Sequence, residues 1–121
     1  MGYVDGFVVP VPLDRLEDYL AMARLAGAVW REHGALSYVE CVADDVKEGK
    51  LTSFPQAVQL QPGETVIFAW ITYPSREARD AINDKVFKDP RLADMMDASK
   101  MPFDGKRMFW GGFTPSVQYQ P

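Results

Sequence analysis

VIFAWI, at residues 66–71, is the run that decides the fold of this 121-residue chain. The side chains of a strand alternate between two faces. Here one face carries valine, phenylalanine and tryptophan, and the other carries isoleucine, alanine and isoleucine. A strand that is apolar on both faces is typical of the centre of a sheet that is covered on both sides. We therefore predict a central strand at this run.

A strand–helix–strand order occurs twice along the chain. The first passage has an apolar run at residues 3–9, an amphipathic stretch at residues 16–30 and a second apolar run at residues 35–43. The second passage has the central strand, a helical stretch that begins after Ser75, and a last strand at residues 108–113. This βαββαβ order predicts an α+β protein of the ferredoxin-like type, with an antiparallel sheet.

The helices of a ferredoxin-like domain cover only one face of its sheet. The apolar second face of the central strand therefore needs another cover, and a symmetric copy of the chain is the simplest one. We predict a homodimer that forms through the helix-free face. The length fits a single domain over residues 1–121, in which residues 44–63 form an irregular excursion between strands two and three.

Local signals set the predicted ends of these elements. Pro10 and Pro12 should end the first strand, because proline cannot donate to a ladder. Asp14 is the predicted cap of the first helix, and Ser75 is the predicted cap of the second. Within the excursion, residues 53–58 indicate a short helical turn.

Composition excludes several classes of protein. Hydrophobic residues make up 47% of the chain and charged residues 25%, as in soluble globular proteins. The net charge of −4 disfavours binding to nucleic acids or anionic membranes, which use clustered Lys and Arg. No stretch approaches the roughly 20 apolar residues that span a bilayer. The single cysteine, Cys41, allows no internal disulfide, so we expect a cytoplasmic protein.

Several short runs resemble the YbaA-like family of small bacterial proteins, a domain-of-unknown-function family (DUF1428). The most specific run is MPFDGKR at residues 101–107, and the others are YVDGFVV at 3–9, VEC at 39–41, DDV at 44–46, YPS at 73–75 and GGF at 111–113. The resemblance implies a ferredoxin-like protomer paired into a dimeric α+β barrel. The wider barrel superfamily includes cofactor-free monooxygenases, haem enzymes and lactone isomerases, so the resemblance transfers no single activity.

The run at residues 101–107 is the first candidate site. Asp104 could act as an acid or a base, while Lys106 and Arg107 could hold a carboxylate or a phosphate. The alternative is structural, because Asp104-Gly105 is ordinary turn chemistry and the two basic residues would then begin a solvated strand.

Asp5 and Glu40 are the second candidates, because acids inside apolar strands need a partner or solvent. If they line a cavity, one of them could have a raised pKa and serve as a base. The alternative is an ion pair with Arg107 or Lys106, or exposure at a strand edge.

Aromatic residues offer a third set of candidates. Trp70, Phe103 and Trp110 could form the wall of a pocket, or they could belong to the core and the dimer interface. His33, the only histidine, is explained by its place at a helix C-terminus, where the dipole favours a cation. One histidine and one cysteine cannot supply a usual zinc shell, so we predict no metal site and no cofactor.

Two functional hypotheses follow. In the first, the protein binds a small molecule, with acid/base chemistry or cofactor-free oxidation supplied by Asp5, Glu40 or Asp104. The predicted ligand-binding residues are Trp70, Phe103, Asp104, Lys106, Arg107 and Trp110. In the second, the protein is a non-catalytic dimeric scaffold or regulatory module, so the sequence leaves open whether it is an enzyme. Convergence of the charged residues on a cavity would favour the first hypothesis, and mutual pairing would favour the second.

Overall fold

The computed structural model describes residues 2–120. Its sheet has four antiparallel strands in the order β2-β3-β1-β4, namely β1 (Tyr3–Pro12), β2 (Ser37–Val42), β3 (Glu64–Tyr73) and β4 (Phe109–Phe113). The apolar run that decides the fold lies in β3, which is a central strand. The predicted α+β class and antiparallel sheet are therefore confirmed.

Helices connect the strands. They are α1 (Leu16–Glu32), α2 (Phe54–Ala57) and α3 (Arg76–Phe87), with short 3-10 helices at Leu13–Arg15, Pro90–Met96 and Ala98–Lys100. Ser75 caps α3 as predicted, because its hydroxyl accepts the N–H of Ala78 at 3.0 Å. The short turn predicted within residues 53–58 is α2, which Ser53 caps. Within residues 2–120, no helix is long and apolar enough to cross a membrane.

Two details of the predicted boundaries are wrong. β1 ends at Pro12, as predicted, but Pro10 does not end it, because the strand continues through Pro10 and pairs with β3 along its whole length. β4 pairs with β1 only as far as Val8, so Pro10 and Pro12 lie beyond β4 and their missing N–H groups break no hydrogen bond to that strand. Asp14 does not cap α1, because it lies inside the 3-10 turn before the helix, and Arg15 makes no side-chain cap.

The main core lies between one face of the sheet and the two long helices. Paired residues of neighbouring strands point to the same face. The pairs Asp5↔Ile71 and Tyr38↔Ile71 therefore place Asp5 and Tyr38 on the face that α1 and α3 cover. The bulky residues that are fully buried include Val11, Val29, Ile67, Tyr73 and Val86.

The opposite face of the sheet is only partly covered. The segment around α2 buries one end of it, where Val58 packs with Val8 and Val66. Farther along, Phe68, Phe109 and Phe113 are 44%, 46% and 63% exposed. The second face of β3 is therefore apolar, as the sequence predicts, and aromatic side chains on this face of the sheet stay partly exposed.

Candidate functional site

An apolar cavity of about 100 Å³ lies between α1 and the sheet. Its walls are aromatic and aliphatic side chains, with one carboxylate, Glu40; they include Phe7, Tyr19, Met22, Ala26, Trp30 and Phe103. A second apolar cavity, of about 180 Å³, shares several of these walls and extends towards Met101 and Trp110. The two adjoining spaces form the best candidate site, because ligand pockets combine apolar walls with a few convergent polar groups.

The Glu40 carboxylate is held by two tyrosine hydroxyls. Tyr38 lies two residues earlier on the same face of β2 and donates to Oε2 at 2.5 Å. Tyr19, on the inward stripe of α1, donates to Oε1. A carboxylate has about four acceptor positions, so both oxygens can still accept from a ligand.

Both tyrosines stay protonated in this setting. Burial, and then the neighbouring Glu40 charge, raise the pKa of Tyr19 and the pKa of Tyr38 well above the usual range. The two hydroxyls therefore remain hydrogen-bond donors across the physiological pH range. The result is a fixed acceptor in the wall of an otherwise apolar space.

Asp5 belongs to a separate buried network behind the cavity. It is 1% exposed, and Tyr73 donates to its Oδ2 at 2.9 Å. Its Oδ1 lies 3.4 Å from Arg79 Nε, without a hydrogen bond between the two atoms. Asn83 links this network to Trp30, whose indole N–H donates to Asn83 Oδ1 at 3.0 Å. Burial raises the pKa of Asp5, while Tyr73 and Arg79 oppose that rise.

The predicted partners of the two strand acids are wrong. Asp5 pairs with Arg79, and Glu40 is held by tyrosines, so neither acid meets Arg107 or Lys106. The reason is topological. Asp5 and Glu40 lie under α1 and α3 on the helix-covered face, whereas Arg107 reaches the start of β3.

The predicted site at residues 101–107 forms an internal ion-pair cluster. Arg107 makes a bidentate pair with Glu64, at 2.7 and 2.6 Å, and its Nε donates to Asp104 Oδ2 at 3.0 Å. Asp104 Oδ1 also accepts the N–H of Lys106 at 3.0 Å, which closes a turn. The Glu64 contact raises the pKa of Arg107, and the Lys106 N–H lowers the pKa of Asp104. The turn and the mutual pairing agree with the structural alternative, except that Arg107 is largely buried in its ion pairs and does not begin a solvated strand.

The predicted aromatic residues divide between the cavities and the helix-free face. Phe103 lines the cavity and meets the Tyr19 ring edge-on, with centroids 5.5 Å apart. Trp110 lines the adjoining cavity and stacks on Phe7 at 5.8 Å. Trp70 borders the first cavity, but its ring lies 5.6 Å from that of Phe68, on the helix-free face.

Tyr19 and Tyr38 are the site residues that sequence reasoning missed. The signal for Tyr38 was its period-two spacing from Glu40, and the signal for Tyr19 was its place on the inward stripe of α1. His33 lies at the end of α1 and contacts Asp89 Oδ2 at 3.0 Å, away from the cavity walls. Over residues 2–120, no group of three or more His, Cys, Asp or Glu side chains is placed to hold a metal ion.

Comparison with known proteins finds clear relatives. A family model described as "Protein of unknown function (DUF1428)" matches residues 2–105. The chain is 52% identical over 113 residues to "Uncharacterized protein YbaA" of Escherichia coli (strain K12), which covers 93% of this chain and 95% of that protein.

Two solved structures are similar in fold alone. An uncharacterized NIPSNAP domain protein from Burkholderia xenovorans has a TM-score of 0.57 at 10% identity, covering 98% of this chain and 99% of that one. The de novo designed protein Foldit4 has a TM-score of 0.50 at 11% identity, covering 95% and 99%.

Proposed function

The chain belongs to the YbaA-like family of unknown function (DUF1428), and on that premise we propose that it binds a small molecule in the cavity beside Glu40. One observation carries the proposal: a carboxylate held by two tyrosine hydroxyls interrupts an otherwise apolar wall. Burial of a polar group costs free energy unless the group is hydrogen-bonded. The Glu40 carboxylate can accept more hydrogen bonds than the two that Tyr19 and Tyr38 donate.

The space limits the size and chemistry of the ligand. Cavities of about 100 and 180 Å³ adjoin each other, and an apolar cavity of about 150 Å³ accepts benzene in another protein. Methionines such as Met22, Met95 and Met108 line both spaces, and their flexible side chains adapt to different shapes. We therefore propose a ligand with a benzene-sized apolar part and one donor, a hydroxyl or an ammonium, facing Glu40.

Two chemistries suit this arrangement. Glu40 could take a proton from the donor that faces it, which is acid/base catalysis. Cofactor-free oxidation would need an electron-rich ligand that itself reduces dioxygen after losing that proton. We assign both chemistries to Glu40 and not to Asp5 or Asp104, because Glu40 is the acid that lines the cavity.

Phenol is a suitable first probe, because it carries an apolar ring and one donor. We expect phenol to bind the protein in a calorimetric or NMR titration. Glu40→Gln should weaken binding by about tenfold, the range of one hydrogen bond to a charged group. Ala26→Leu should fill the cavity and abolish binding, whereas Ala35→Leu, a buried change outside the cavity walls, should leave it intact. Phenol binding that survives Ala26→Leu would contradict the proposed site.

We also propose that the protomer is ferredoxin-like and pairs into a dimeric α+β barrel. The strand order β2-β3-β1-β4 supports this arrangement, as does the outward aromatic surface opposite α1 and α3. That surface would be the interface of a homodimer. The single cysteine supports a cytoplasmic location for the dimer.

A non-catalytic dimeric scaffold or regulatory module is the second candidate. The observation that favours it is the Arg107 cluster, whose charges pair with one another and with Glu64 away from the cavity walls. The phenol titration separates the two candidates. A correctly folded protein that binds neither phenol nor its alkyl-substituted relatives would favour the scaffold.

A further inference from the structure

A third and more open space lies directly behind the Glu40 wall. This groove, of about 680 Å³, runs along the surface between α1 and β2. Its lining includes Arg24, Gly27, Ala28, Arg31 and Leu36. Ala23, Tyr38 and Glu40 line both the groove and the internal cavity. Those three side chains are therefore the partition between the cavity and the surface.

Tyr38 is the largest side chain of this partition. Its hydroxyl is tied to Glu40, and its ring lies against α1 at Gly27. A Cβ at residue 27 would lie 2.8 Å from Tyr38 Cδ1, so only glycine lets the ring lie so close to the helix. A rotation about the Tyr38 side-chain bonds would break the hydrogen bond to Glu40 and open a passage between the groove and the cavity.

The charged residues of the groove are two arginines and one carboxylate, although the chain is acidic overall. Arg24 and Arg31 line it together with Glu40, so its lining is net positive, whereas the net charge of the chain is −4. Arg31 Nη1 donates to the carbonyls of Ala35 and Leu36, both at 2.8 Å, which fixes the guanidinium at one end of the groove. A guanidinium has five N–H donors, so Arg31 keeps donors for an anion.

We propose that the groove is the entrance to the cavity, that Tyr38 is its gate, and that Arg24 and Arg31 make the site prefer amphipathic anions. The apolar, hydroxyl-bearing end of such a ligand lies in the cavity beside Glu40, and its anionic head lies between the two arginines. This inference rests on the proposed function, because it specifies the ligand class of the same site.

The head-group preference is tested with a matched pair of probes, para-hydroxyphenylpropionate and the corresponding alcohol, para-hydroxyphenylpropanol. The carboxylate should bind about fivefold more tightly than the alcohol, the range of one partly exposed ion pair. Arg24→Gln should lower this preference, because it removes one of the two arginines that face the carboxylate. Arg76→Gln, the same charge change on the exposed surface of α3, should keep the preference.

The entrance is tested by the rate of phenol association. Ala28 is an exposed groove residue that does not line the cavity, so Ala28→Trp should slow association severalfold and leave the cavity unchanged. Ala21→Trp places the same ring at an exposed α1 position outside the groove lining, and it should not slow association. Equal association rates for the two tryptophan variants would show that phenol does not enter through the groove.

The outcomes separate this inference from the proposed function. If phenol binds but the carboxylate has no advantage over the alcohol, the anion preference is wrong and the cavity proposal stands. If phenol and both longer probes do not bind the folded wild-type protein, the proposed function is wrong, and so is the proposal that the groove is its entrance.

Discussion

Gly112 brings β4 close to the side chains that surround Asp5. It pairs with Asp5 across the β1–β4 ladder, so any side chain there would project onto the helix-covered face. The Arg79 guanidinium and the Tyr3 ring already occupy that space, with Arg79 Cζ 4.9 Å from the ring centroid. A Cβ at Gly112 would lie 2.7 Å from Tyr3 Cε2 and would also overlap the Tyr3 hydroxyl and Arg79 Nη2.

Gly112→Ala should therefore lower the free energy of unfolding by about 1–3 kcal/mol, the usual cost of overpacking. Gly111→Ala is the matched control, because a Cβ there meets its nearest atom, Phe113 Cε1, at 3.8 Å, an ordinary contact. Urea denaturation of the two variants measures the difference. Equal stabilities would show that Arg79 and Tyr3 move aside without cost.

Asp5 and Glu40 show how far single residues can be predicted. Acids inside apolar strands were predicted to need partners, and both acids have them. Tyr38 is a local partner of Glu40, but the other partners depended on which helix lies over each strand. Arg79 lies on α3 and Tyr19 on α1, more than 20 residues away in sequence from the acids they meet. Local pattern alone carries no signal for contacts of that separation.

At the scale of elements, Arg107 joins three segments. It pairs with Glu64 at the start of β3 and with Asp104 in the turn before β4, and it donates to the carbonyls of Val58 and Gln59 after α2. The segment that leads into β4 and the excursion between β2 and β3 are thus held to the same strand end. The bidentate geometry makes this pair stronger than a single charged hydrogen bond.

Arg107→Met should lower the free energy of unfolding by about 1–3 kcal/mol at pH 7, because it leaves the largely buried Glu64 carboxylate without its main partner. Lys106→Met is the control, since Lys106 is exposed. Denaturant titrations of both variants at several pH values measure the effect.

The pH dependence of this difference has a definite sign. Hydrogen bonds from Arg107 lower the pKa of Glu64 below its ordinary value of 4.5. The stabilisation is therefore complete above pH 4.5 and is lost as the pH falls through the lowered pKa. A wild-type advantage over Arg107→Met that grows as the solution is acidified below pH 4.5 would contradict this pair.

The same cluster shows why element-level prediction succeeded for the strands and was incomplete for the loops. Periodicity identified β3 and α3 because their apolar faces repeat regularly. The run at residues 101–107 has no period, so Asp104 and Arg107 were equally compatible with a ligand site and a tight turn. Pro10 misled for a related reason, because a strand tolerates a proline where no neighbouring strand needs its N–H, and that depends on where β4 stops pairing with β1.

At the scale of the whole molecule, the two faces of the sheet differ in kind. The face under α1 and α3 holds the main core and the cavity, whereas the other face leaves a row of aromatic side chains exposed beyond the cover of α2. The double apolar pattern of β3 predicted that both faces need a cover. It could not predict that α2 would provide part of that cover from within the chain, since contacts such as Phe54 on Phe68 depend on the path of the excursion.

The remaining exposed aromatic surface yields the prediction that belongs to this scale. Light scattering at micromolar concentration should give a mass of about twice 13.6 kDa for the wild-type protein, because a stable interface needs about 800 Å² of each partner and the helix-free face offers apolar surface for it. Phe113→Asp places a charge on that face, at an aromatic residue that is 63% exposed, and should give the monomer mass. Leu51→Asp, at a residue that is 98% exposed in the excursion, should leave the dimer intact. A monomeric wild-type protein would rule out the shared-sheet architecture, and an unaltered mass for Phe113→Asp would place the interface on another surface.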